Sequence, residues 1–200
     1  MERFICITIL IFLFSCSNKS KENLKECLDE NEVEFLYEGK TIFEEALVKF
    51  YSKKNLAENY KVYLEDLTIA SDSLVMLESN TKALQFIDKL RKLNKIHSFW
   101  TINKTDQSIL KQEDYEIAKG NYLSCLESVA KTEIFKDFFI VLNDKGVNIS
   151  SAIVAESLLH EDLITRMLKE DKELLSIYVA FHMYYESILN SQLYLEEKVF

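Results

Sequence analysis

No proline occurs anywhere in this 200-residue chain, and glycine stands only at positions 39, 120 and 146. Proline removes the N–H that a helical ladder needs, and glycine supplies the positive φ of tight hairpins. A chain almost without either has few places to stop a helix. The expectation is an all-α fold, an irregular bundle of about six to eight helices. With 48% apolar and 12% aromatic residues, a single domain with a genuine core accounts for the length.

The formal net charge is -9 and only Arg3, Arg91 and Arg166 are arginine. Binding to a polyphosphate backbone rests on lysine and arginine neutralising phosphates, so nucleic acid is not an expected partner. A nucleotide is not expected either. The scattered glycines build no phosphate-binding loop or dinucleotide fingerprint, and no Gly-x-Ser-x-Gly elbow occurs. No catalytic residue is therefore assigned.

Residues 1–15 have the anatomy of a signal peptide: Arg3 near the start, an apolar run from Phe4 to Phe14, then small or polar residues from Ser15. That run is shorter than the ~20 apolar residues a bilayer core demands, so it reads as a targeting segment. It ends in Leu13-Phe14-Ser15-Cys16, which resembles the lipobox of bacterial lipoproteins. The resemblance is confined to the signal region, where the chain is also similar to small helical lipoproteins of Bacteroidota. It implies cleavage before Cys16, a diacylglyceryl group on the Cys16 thiol and an acyl chain on the new amino terminus. That covalent lipid is the one attached group expected, with no separate cofactor. Membrane lipid is then one partner and an envelope protein the other. The implied address is the cell envelope, on the outer membrane, with the body at its periplasmic or surface face. The alternative is an ordinary secretory signal that leaves Cys16 a bare thiol. Residues 16–23 are polar and read as a tether, with a single helical domain over 24–200.

Helical periodicity organises the rest. Leu24, Cys27 and Leu28 share a face; Thr41 with Glu44 forms a capping-box pattern that predicts a helix start; a second stripe runs from Leu56 to Leu67. Ser79 or Asn80 caps a helix inward-facing at Ala83, Leu84, Ile87, Leu90 and Leu93. Ile96 to Ile102 reads as a connector in which Trp100 packs on the body. Gln107 to Ala130 reads as a helix, Thr132 caps the next, and Asn143 to Gly146 stops it. Asn148 or Ser150 opens a short helix through Leu159. Asp162 caps the last segment, whose uncharged stretch Tyr178 to Tyr185 predicts a helix through the middle of the fold. The charged run Lys169 to Glu173 reads as a solvated face, as does Glu30 to Glu34.

Cys27 and Cys125 lie on apolar faces. They form either a disulfide, permitted outside the cytoplasm, or two small buried hydrophobes. Among the histidines His97, His160 and His182, the pairs Glu156/His160 and His182/Glu186 stand four apart on one helical turn. No Glu-x-x-His or His-Glu-x-x-His string accompanies them, so no metal is assigned. The aromatic clusters at Phe35 to Tyr37, Phe138-Phe139 and Tyr184-Tyr185 read as core. The functional expectation is a non-enzymatic, lipid-tethered interaction module. The alternative is a small-molecule or metal-binding lipoprotein with a pocket near His182.

Overall fold

The computed structural model describes residues 19–71, 73–107, 110–117, 121–145, 150–160 and 163–197. The signal segment, Cys16, the cap expected at Asp162 and the stop expected at Gly146 lie outside them. A helical turn over 19–24 precedes α1 (Glu30–Tyr51), α2 (Leu56–Ile69), α3 (Ser73–Glu78) and α4 (Thr81–Lys92). A 3-10 turn at Ile96–Ser98 leads to β1 (Trp100–Gln107) and β2 (Leu110–Ile117), an antiparallel pair. Then come α5 (Asn121–Val129), α6 (Glu133–Lys145), α7 (Ser151–Leu159) and α8 (Leu163–Glu170). The last helical stretch runs through α9 (Lys172–Tyr178), a π-helical segment (Val179–Tyr185) and α10 (Glu186–Glu197). The fold class is all-α, an irregular bundle carrying one small sheet.

Local chemistry explains most of the helix starts. Asn80 accepts from Lys82 and Ala83 N–H at 2.9 and 3.4 Å, Ser150 from Ile153 N–H at 3.4 Å, and Thr132 Oγ1 from Phe135 N–H at 3.3 Å. The start expected at Thr41 is displaced. α1 begins eleven residues earlier, at a reciprocal box in which Asp29 accepts from Glu32 N–H at 2.8 Å and Glu32 accepts from Asp29 N–H at 3.3 Å. Thr41 is mid-helix, its hydroxyl donating back to the Tyr37 carbonyl at 2.8 Å. Two capping patterns stood in series, and nothing between them ends a helix except Gly39, which packing retains.

Every residue from Leu174 to Tyr185 is buried except for traces. No charged side chain interrupts that stretch, so it can be surrounded on all sides. Trp100 stacks on the Phe181 ring at 5.3 Å between centroids and 12° between planes, and its Nε1 donates to the Phe181 carbonyl at 3.0 Å. Phe181 sits in the π segment, where the ladder shifts to i→i+5 and a carbonyl has room for a lateral donor. Gly39 of α1 faces the same ring: a Cβ there would lie 2.8 Å from Phe181 Cε2 and 3.0 Å from Phe86 Cε1. The Tyr185 hydroxyl adds a 2.9 Å bond to the Gly39 carbonyl. Alanine at 39 gains ~1 kcal/mol of helix propensity but overpacks rings pinned by the Trp100 stack, a cost of about 1 to 3 kcal/mol. Gly39→Ala is therefore expected to be net destabilising by about 1 kcal/mol in urea unfolding; a stabilised variant would contradict the close approach.

Two expectations are corrected. Residue 107 and residues 110–117 are not helical: Trp100 stands opposite Ile117, and Ile102 opposite Tyr115, in a strand register. Asn190 of α10 seals β2, accepting from Tyr115 N–H at 2.7 Å and donating to the Tyr115 carbonyl at 3.1 Å. The Lys, Gln and Glu content of β2 favours helix locally, and edge pairing overrides it. The run Lys169 to Glu173 is solvated only in part: Lys169, Glu170 and Lys172 are exposed, whereas Asp171 and Glu173 turn inward. Asp171 is 3% exposed and accepts from Lys131 N–H at 2.8 Å, Thr132 N–H at 2.9 Å and Thr132 Oγ1 at 2.7 Å; Glu173 pairs with buried Lys40. Asp171 thus ties the start of α6 to the start of α9. Asp171→Ala leaves two backbone donors unmet and should cost about 2 to 3 kcal/mol in thermal unfolding; a shift below the experimental error would show that those donors are otherwise satisfied.

The buried apolar side chains form one contiguous cluster from Leu24 to Leu189. The folded body takes in part of the expected tether: residues 19–24 are helical, Ser20 is buried, and Lys21 pairs with Glu34 at 2.7 Å.

Candidate functional site

Tyr178, His182 and Glu186 follow one another at intervals of four along the last helical stretch, through its π segment. Because that helix runs through the core, all three carry polar groups into an apolar interior. The Tyr178 ring lies 4.9 Å from the His182 ring, with the rings of Phe138 and Phe139 edge-on to it at 5.0 and 5.7 Å. Tyr122 of α5 is buried too, its ring edge-on to Phe99 at 5.8 Å. His182 Nδ1 faces Glu186 Oε2 across 3.3 Å, with side-chain exposures of 8% and 16%.

A buried polar atom normally has a partner, because an unmet one costs about 1 to 3 kcal/mol. Elsewhere in this core the Tyr184 hydroxyl donates to the Leu77 carbonyl at 2.9 Å, and Tyr185 and Trp100 are likewise satisfied, while the hydroxyls of Tyr37 and Ser176 have no partner. Here the rule fails. The hydroxyls of Tyr122 and Tyr178, both ring nitrogens of His182 and Glu186 Oε2 have no hydrogen-bond partner. The His182–Glu186 approach is short enough for charge attraction yet lacks the alignment of a hydrogen bond. Burial pushes the Tyr178 hydroxyl well above the ordinary phenol range, and the charge on Glu186 pushes the same way; burial alone does so for Tyr122. Both phenols are protonated donors at neutral pH.

Of the histidine pairs read from the sequence, the structure brings His182 and Glu186 together inside the fold and leaves Glu156 and His160 exposed at the end of α7. His97 is exposed too. Tyr122 and Tyr178 carried no sequence signal, since nothing local links residues on two separate helices. The usable clue was a lone histidine inside an uncharged helix. Among the described residues, no three His, Cys, Asp or Glu side chains come together as a metal set. Phe35, Phe139, Tyr184 and Tyr185 are core.

Cys27 and Cys125 are joined, with Cα atoms 5.6 Å apart and a sequence separation of 98. Asn121 Nδ2 donates to the Cys27 carbonyl at 3.2 Å beside the bridge. The bridge binds the segment leading into α1 to α5. A groove of about 540 Å³ opens between α1 and the start of α4, floored by Ile42, Ala46, Phe50 and Leu77 and crossed by the Lys82–Glu45 ion pair at 2.6 Å. It does not reach the buried polar cluster. No described helix is long and apolar enough to cross a membrane. Compared with family models, with curated proteins and with solved structures, the chain matches none.

Proposed function

We propose that this chain is a lipid-anchored protein of the cell envelope, held through Cys16, whose helical body works by contact with a protein partner rather than by catalysis. The observation that carries the reading is the Cys27–Cys125 bridge in a chain that opens with an apolar targeting run and Leu13-Phe14-Ser15-Cys16. Disulfides persist outside the reducing cytoplasm, and the opening segment supplies a route there. Two or three acyl chains at residue 16 hold a water-soluble body stably, each buried methylene contributing about 0.8 kcal/mol. The body packs from residue 19 onward, so it would ride close to the lipid surface. Ile134, Ile140 and Val141 on α6 are 38%, 39% and 42% exposed and offer an apolar contact area.

Mass spectrometry of the amino-terminal peptide from membrane-extracted protein tests the reading. The expected peptide starts at Cys16 and carries diacylglyceryl and acyl mass, while Cys16→Ala remains unprocessed and unlipidated. A natural product with residue 16 unmodified, or with residues 1–15 still attached, would overturn it.

A further inference from the structure

We infer that the Cys27–Cys125 bridge is a redox-controlled clasp: closed, it holds residues 19–28 against the body, and reduced by a dithiol it lets them go while the bundle stays folded. The segment has a natural boundary. α1 is capped by a box made from Asp29 and Glu32 alone, so its start needs nothing from the residues before it. Lys95 pairs with Asp29 at 3.0 Å and fixes that start to the turn after α4. Release that begins at residue 19 therefore stops at Asp29.

Apart from the bridge, the hold on this segment is slight. Leu24 and Leu28 are buried, while the Lys21–Glu34 and Lys25–Glu30 pairs lie at the surface, where ion pairs contribute little. Asn121 Nδ2 adds one bond to the Cys27 carbonyl. Against these stands the backbone entropy of the whole segment, and the helical turn over 19–24 is far shorter than a helix that persists in water. Across the bridge the balance is different. Cys125 belongs to α5, whose buried Tyr122, Leu123 and Leu126 keep that helix in the body whether the bridge is closed or open.

Opening balances as thiol–disulfide exchange. A thiolate of the dithiol attacks the half-buried Cys27 sulfur, and the buried Cys125 sulfur leaves. The second sulfur of the dithiol then displaces Cys27. The reductant ends as a disulfide, having given up two electrons, and its two protons end on Cys27 and Cys125. The consequence for reach rests on the anchor proposed at Cys16. With the clasp closed, the link from residue 16 to residue 19 spans at most about 10 Å; open, the link from residue 16 to residue 29 spans up to about 45 Å. Reduction thus lets the body move away from the lipid surface without losing its tether.

Hydrogen exchange read by mass spectrometry on the purified disulfide-intact protein, with and without dithiothreitol, tests the clasp. Reduction is expected to speed exchange in peptides covering 19–28 by about tenfold or more and to leave them well ahead of peptides from α1 and from Leu174 to Tyr185. Iodoacetamide added under the same native conditions should then label Cys27, and the circular-dichroism spectrum should keep its helical content. The Cys27→Ser/Cys125→Ser variant should show the open pattern in either buffer. None of these readouts needs lipid at residue 16, so the clasp and the anchor fail separately. A reduced segment that still exchanges in step with α1, helical content lost throughout on reduction, or a bridge that dithiothreitol leaves closed in the folded protein would each overturn the proposal.

Discussion

Serine at both Cys27 and Cys125 is expected to lower the thermal midpoint by about 10 to 20 °C. A bridge spanning 98 residues removes loop entropy from the unfolded chain worth up to about 4.7 kcal/mol, and for a chain of this size each kcal/mol moves the midpoint by roughly 2 to 4 °C. The bridge also has local work. The helical turn over 19–24 is too short to persist alone and holds to the body through Leu24, Leu28 and the Lys21–Glu34 pair. Differential scanning calorimetry with and without dithiothreitol checks it. Wild-type protein in reductant should melt like the double variant, and the variant should ignore reductant. Equal midpoints for the wild type in both buffers would mean that the pair contributes nothing.

The second large effect centres on Trp100. Removing it empties the space against Phe181, Phe99 and Tyr185 and orphans the Phe181 carbonyl's lateral bond. Trp100→Ala should cost about 3 to 5 kcal/mol, while Trp100→Phe, which keeps a stacked ring but loses the N–H donor and part of the indole's volume, should cost about 1 to 3 kcal/mol. Urea unfolding followed by circular dichroism separates them, because Trp100 is the only tryptophan and fluorescence vanishes with it. Near-equal losses in the two variants would show that the hydrogen bond outweighs the packing.

Gly39 shows how the same residue reads differently at the two levels. In sequence it falls just before the helix start expected at Thr41; in the fold it is mid-helix and is the clearance that lets α1 approach Phe181. Asp171 is similar. As part of a charged run it looked solvated, yet its carboxylate is desolvated because three donors from residues 131 and 132 replace water. Of the candidate site, His182 and Glu186 were legible as a pair from their spacing. The Tyr178 ring against His182 was not, since Tyr178 looked like one more core aromatic.

By itself the sequence determined what depends on chain neighbours: a helical class from the near-absence of proline and glycine, a cap at Thr132 and, each within a pair of candidates, caps at Asn80 and Ser150, and a central helix from the uncharged stretch before Glu186. Propensity and capping act within a few residues, so local order contains them. Only the tertiary structure decided the β1–β2 pairing, the burial of Asp171, the Lys40–Glu173 pair and the clearance at Gly39. In each case the free energy lies between residues far apart in the chain, where desolvation and packing depend on which partner arrives.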